Sequence, residues 1–201
     1  MSGRTGPEKV STANEGTILT IGHSTRPMEE LVTLLLENGV RRIVDVRTIP
    51  RSRHNPQFNR DTLPETLVEN DIEYTHMPGL GGLRRTRTDS QNRGWHNDAF
   101  RGFADYMQTG EFAENIEKLM EFGRRERVAV MCAETLPWRC HRSLIADALL
   151  VRGARVIHIM GKGKLIVHEL TPFARIDGVT ITYPSETSKM GSPQNSDYKA
   201  R

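Results

Sequence analysis

Cysteine is scarce in this chain: Cys132 and Cys140 are the two among 201 residues. Two thiols cannot build the disulfide framework on which small secreted domains rely. No apolar run approaches the ~20 residues that a membrane-spanning helix requires, and no charged segment followed by an apolar core opens the chain, as a signal peptide would. The expectation is a cytoplasmic protein with no membrane partner. Aromatic residues make up 6% of the sequence, which leaves few rings for stacking on unpaired bases. Also missing are the Walker spacing, the dinucleotide-binding fingerprint and any internal repeat.

What remains is a polar chain with an ordinary core. A hydrophobic content of 36% and a mean hydropathy of −0.53 point to polar tails around one domain. Residues 1–16 and 184–201 are rich in Ser, Gly, Thr, Asn, Pro and charge without periodicity, so both are expected to be disordered. Residues 17–183 are long enough to bury most of the surface they would expose unfolded. The net charge is +3 and the pI about 9.0; where the arginines fall matters more than that mild excess.

Apolar strand patterns alternate with helical ones. Thr17–Ile21, Arg42–Val46, Ile72–His76, Val128–Cys132 and Val156–Ile159 read as strands. Helical spacing runs over Pro27–Asn38, roughly Asp61–Asn70, Ala99–Met107, Glu111–Arg124 and Ser143–Arg152. Residues 165–183 add a short structured tail of uncertain type. This alternation predicts a three-layer α/β/α domain with a mostly parallel, Rossmann-like sheet of about five strands.

In a parallel sheet the loops that follow the strands emerge on one edge, where ligands bind. Those loops carry His23 and Ser24 after the first strand, then Asp45, Arg47, Arg51, Ser52 and Arg53 at and beyond the end of the second. The third contributes Gly81, Gly82 and Arg84, and the fourth Cys132, Glu134, Cys140, His141 and Arg142. Arginine suits bidentate recognition of phosphate and carboxylate. For a single arginine, solubility or ion pairing is the simpler reading, but Arg51, Arg53 and Arg60 have no acidic residue between them. The partner implied is an anionic small molecule or a nucleic acid. Gly79-Leu-Gly-Gly82 is either a cradle for an anion or a tight turn with positive φ values.

The segment from Cys132 to Arg142 concentrates the reactive side chains. Cys140 falls in the expected first helical turn, where the helix dipole favours a thiolate and makes it the better nucleophile. The arrangement is similar to that of cysteine phosphatases and sulfurtransferases, but the count from Cys132 to Arg139 is too long and the loop too poor in glycine. A metal site is a second option, with Cys132, Cys140 and His141 as ligands and His23 as a further candidate, but the Cys-x7-Cys-His spacing matches no common zinc pattern; no cofactor is expected, and the spacing does not support a metal. Buried free cysteines are also common core residues. Glu134, a carboxylate just past a buried strand, is either a general base or nucleophile, or the partner of Arg142 or Arg47. Asp45 has Arg47 on its own face of the strand.

Taken together, Thr20-Ile-Gly-His-Ser24, Asp45-Val-Arg47 with Pro50, Ser52 and Phe58, Tyr74 with Leu80-Gly-Gly82, Cys132-Ala-Glu134 and Cys140-His-Arg142 resemble the domain-of-unknown-function family 488. The resemblance spans roughly residues 17–183 and extends to His168-Glu-Leu-Thr-Pro172. It implies a three-layer α/β domain and a set of characteristic residues, with no established reaction. Those residues lie on the same edge. The leading expectation is an enzyme for a phosphorylated, nucleotide-like or nucleic-acid substrate, with Tyr74, Gly82 and the arginines among the binding groups. Glu134, with His23 or His141, would do acid–base work, and Cys132 or Cys140 would be an optional nucleophile. The rival is a non-catalytic nucleic-acid-binding or regulatory module using the same rim.

Overall fold

The computed structural model describes residues 16–185. The tails expected to be disordered, 1–16 and 184–201, lie outside the described residues except for Gly16, Pro184 and Ser185. Strands β1 (Thr17–Gly22), β2 (Arg42–Asp45), β3 (Glu73–His76), β4 (Val128–Cys132) and β5 (Arg155–Gly161) alternate with helices. These are α1 (Met28–Glu37), α2 (Leu63–Val68), α3 (Asp98–Tyr106), α4 (Gly110–Arg125) and α5 (Arg142–Leu150). The five strands are parallel. With β6 (Lys164–Val167) they form a six-stranded sheet in the order β3-β2-β4-β1-β5-β6.

Period-two alternation sends neighbouring residues to opposite faces. Ile18, Val44 and Val130 join Phe103, Phe112 and Ile145 in one core, under α3, α4 and α5. Leu19, Ile21 and Ile43 join Leu31, Leu35 and Leu67 in the other, under α1 and α2. The result is the expected three-layer α/β/α domain. β4 is buried along its whole length and β1 at all but its first residue, as central parallel strands are.

The structure departs from the sequence reading in three places. The tail of uncertain type supplies β6, antiparallel to β5 after a turn at Gly163 with φ 65°, and a hairpin of β7 (Arg175–Asp177) and β8 (Thr180–Thr182). The helix expected over residues 61–70 contracts to α2, with proline in its first turn. Cys140 does not sit inside a helix: a 3₁₀ turn over Pro137–Arg139 ends at it in extended backbone, and α5 begins two residues later. Proline stands at the front of α2 and of the 3₁₀ turn, where the N–H it lacks would have had no intrahelical partner.

The C-terminal tail is tied to the sheet by a buried polar chain. The Asp147 carboxylate accepts from His168 Nε2 at 2.9 Å, Tyr183 OH at 2.8 Å and Thr171 Oγ1 at 2.7 Å. His168 Nδ1 meets His158 Nε2 at 3.1 Å, and His158 Nδ1 meets Thr20 Oγ1 at 2.7 Å. Burial, with His168 alongside, pushes His158 down from 6.5 to about 3. Between those values the unfolded chain takes up a proton that the native imidazole refuses, so stability falls as pH falls. Urea midpoints should drop on acidification from pH 7 towards pH 4, and His158→Asn should flatten that dependence. An unchanged slope in the variant would assign the acid sensitivity to other groups.

Candidate active site

Three strands that are distant in sequence end side by side. Because β4 lies between β2 and β1, Asp45, Cys132 and Gly22 terminate neighbouring strands, with Gly22 opposite Cys132 and Asp45 opposite Met131. The ladder continues past the strand ends: His23 N–H donates to Cys132 O at 3.0 Å and Ser24 N–H to Ala133 O at 2.9 Å. Glycine is required at position 22, since a Cβ there would overlap the Glu134 carbonyl. Ser24 holds φ 49°, the left-handed region that non-glycine residues occupy mainly where surroundings enforce it.

The first constellation is anchored by Asp45, which has no solvent exposure. Arg47 donates to it from Nε at 2.9 Å and Nη2 at 2.6 Å, and Tyr74 OH donates at 2.8 Å. Burial and the Asp45 carboxylate push the Tyr74 phenol far above its usual range. Arg47 Nη2 also donates to Phe58 O at 2.7 Å, and His76 Nε2 donates to Arg47 O at 2.8 Å. His23 Nδ1 must donate to the Ser24 carbonyl, 2.9 Å away, which leaves Nε2 to accept from Arg47 Nη1 at 3.1 Å. Burial and the Arg47 charge lower the His23 pKa, so this ring is neutral and its tautomer is set by its partners.

The second constellation lies at the end of β4 and the start of α5. The thiols of Cys132 and Cys140 and a ring nitrogen of His141 all lie within 4.8 Å of one another. Both thiols are free. Cys140 Sγ is 3.6 Å from His141 Nδ1 and accepts the Arg142 N–H at 3.4 Å. The Cys132 thiol is held well below its ordinary range by hydrogen bonding with Cys140, with His141 and Arg142 acting in the same direction. Cys140 is pushed up by sharing its proton with Cys132 and by burial.

Arg142 lies beneath these thiols and is 1% exposed. Its Nη1 donates to Ile21 O at 2.8 Å and Glu134 O at 3.1 Å, and Nη2 to Thr135 O at 3.2 Å. Among the described residues no carboxylate pairs with it, and Nε finds no partner. Burial lowers its pKa. The carboxylate of Glu134 is exposed; it accepts the Thr135 N–H at 3.0 Å and joins neither Arg142 nor Arg47.

A cleft of about 560 Å³ opens over both constellations, and Ser24, Arg47, Cys132, Glu134, Cys140 and His141 line it. Gly82 lines it as well and packs against the His141 ring. The glycines at 79, 81 and 82 do not adopt positive φ; side chains there would strike Asn115, Thr48 and His141 respectively. Close approach, not turn strain, explains this run. Arg84 fixes the same loop, donating to Gly81 O at 3.1 Å and Gly79 O at 3.0 Å and stacking on Tyr106.

Other expected residues fall elsewhere. Ser52 bonds within its own loop, to Asn55 and Asn59. Arg51 and Arg53 are exposed, and Arg51 borders a separate depression with Arg60. The cleft also recruits Thr48, Ile49, Leu83, Asn97 and Phe100. Asn97 caps α3 by accepting from Ala99 N–H at 2.8 Å; its cap signature was readable, its position beside the cleft was not.

The model of the family described as Domain of unknown function DUF488 matches residues 27–149. The chain belongs to the DUF488 family. No curated protein and no solved structure matches it. The DUF488 match includes Asp45, Arg47, Phe58, Tyr74, Cys132, Cys140 and Arg142 but begins after His23 and ends before His168. Within the family domain, then, the two constellations are carried by matched residues, and His23 and Ser24 complete them from an unmatched strand end.

Removing Asp45 tests how far the fold depends on the first constellation. Asp45→Ala leaves the Arg47 charge buried without its partner, an effect of about 3–5 kcal/mol. Replacing both, as Asp45→Leu with Arg47→Met, should recover a large part of that loss in chemical denaturation. If the double variant is no more stable than the single one, the ion pair is not the source of the destabilisation.

Proposed function

We propose that the protein is an enzyme, a hydrolase or transferase, acting on a phosphorylated or nucleotide-like substrate held in this cleft. The observation that carries the reading is the positive charge behind the cleft wall: Arg142 is buried next to the thiols, and among the described residues no carboxylate forms an ion pair with it. A buried cation with no directly paired carboxylate favours an anion nearby. Arg47 contributes less, because Asp45 neutralises it. The exposed side chain of Arg139 adds charge at the rim.

In this reading Glu134 moves the proton. It stands on the cleft wall, and only one of its oxygens is engaged by the local backbone, so it serves as general base or acid for a substrate oxygen. His23 is not a shuttle in this reading, since both ring nitrogens are committed; it positions Arg47. The exposed apolar side chains of Ile49 and Leu83, with Phe100, suit the non-ionic part of a substrate such as a sugar or ring.

Glu134→Gln preserves size and hydrogen bonding while removing the base. Against a panel of nucleotides and phosphoesters, any substrate turned over by the natural protein should lose roughly 10²–10⁴-fold in kcat. Unchanged turnover would remove Glu134 from the mechanism.

One observation favours a second reading. Arg51, Arg53 and Arg60 are exposed and form no ion pair among the described residues, so they suit a phosphate backbone. A non-catalytic nucleic-acid binder should lose affinity steeply as salt rises, and Arg51→Ala with Arg53→Ala should shallow that slope by up to about 0.9 per contact. Absence of binding at low salt would end this reading.

A further inference from the structure

The two thiols and His141 line the cleft, and the acid–base reading leaves them without a role. We infer that Cys132, Cys140 and His141 hold a divalent cation of the zinc class, with its fourth position open to the cleft. The three donor atoms lie within 4.8 Å of one another. Cys140 Sγ and His141 Nδ1 are 3.6 Å apart, and a tetrahedral site with Zn–S ~2.3 Å and Zn–N ~2.1 Å has an S–N edge of ~3.6 Å. Two thiolates, one imidazole and an open position is a donor set of the kind that reactive zinc sites use, whereas structural sites are closed by a fourth protein ligand.

The surroundings fit the same reading. A Cβ at Gly82 would lie 2.5 Å from His141 Nδ1, so glycine there keeps the approach to that nitrogen clear. His141 Nε2 has no hydrogen-bond partner among the described residues; it carries the ring proton and leaves the Nδ1 lone pair for the cation. The Arg142 N–H on Cys140 Sγ is an outer hydrogen bond that orients a ligating sulfur. Sequence spacing conceals the site, because Cys132 closes β4 while Cys140 and His141 lie in the turn just before α5, and only the fold brings them together.

Charge then selects the fourth ligand. Two thiolates offset a dication, and Arg142, with which no carboxylate forms an ion pair among the described residues, adds positive charge. The open position therefore takes an anionic oxygen, such as a phosphate oxygen of the substrate. This last step rests on the cleft being the site of an anionic substrate; the cation site itself does not.

The test is to strip the full-length protein with a chelator and titrate it with Co²⁺. One equivalent per chain should bind, with thiolate-to-cobalt charge-transfer absorption and the ligand-field bands of a four-coordinate ion. Inorganic phosphate should then perturb the ligand-field bands. Cys132→Ser and Cys140→Ser should each lose or diminish the charge-transfer absorption. His141→Asn keeps both thiols and should weaken binding by more than the ~10–100-fold that losing an outer partner costs. Sub-stoichiometric uptake, a spectrum without sulfur charge transfer, or an undiminished spectrum in the cysteine variants would overturn the inference. The natural protein's spectrum decides the matter even if a variant fails to fold. Turnover that depends on Glu134 without any cation would leave the proposed function standing alone. Cobalt bound with the thiolate signature, but indifferent to phosphate and to every phosphoester, would leave the cation standing alone.

Discussion

The guanidinium of Arg142 holds the carboxyl edge of the sheet together. It bridges the last part of β1, through the Ile21 carbonyl, to the loop after β4, through the carbonyls of Glu134 and Thr135. Those loops already touch closely enough to forbid a side chain at Gly22. The same residue opens α5 and turns its amide onto Cys140. Bracing, orientation of a thiol and a charge beneath the cleft thus come from one side chain. Carbonyls take up its Nη donors but cannot neutralise it, and Nε is left without a partner among the described residues.

The two constellations divide the work of preorganisation. Around Asp45 every polar atom has a partner, and a fully satisfied buried network is rigid. That rigidity reaches the cleft through the contact of Arg47 with His23, and through His23 to the strained backbone at Ser24. Around Cys132 the partners are fewer and softer. The thiols sit on the less constrained half, supported by the more constrained one.

The layers, the parallel strands and the edge on which the loops meet were legible from alternating apolar patterns. So was the pairing of Asp45 with Arg47, since residues two apart on a strand share a face. Strand order was not legible: alternation says nothing of β4 lying between β2 and β1, and that order makes neighbours of Asp45, Cys132 and Gly22. Nor does residue type separate the arginines. Arg142 braces backbone, Arg47 answers a carboxylate, Arg84 ties down its own loop, and Arg51 faces solvent. Each assignment depends on what the fold places opposite. The segment after β5 was least readable, because its strands are short and take their shape from partners far away in the chain.

Asp147 lies inside the stretch that matches the family, yet the groups that satisfy it, His168, Thr171 and Tyr183, all lie beyond it. A carboxylate with no solvent exposure cannot be kept without such donors. A relative that ends soon after the equivalent of α5 would therefore have to give up the acidic residue there, or find other donors for it. Position 147 thus becomes a marker in sequence: where relatives carry an acid at that place, a tail of this kind should accompany it, and where they carry an apolar residue, the tail is free to differ.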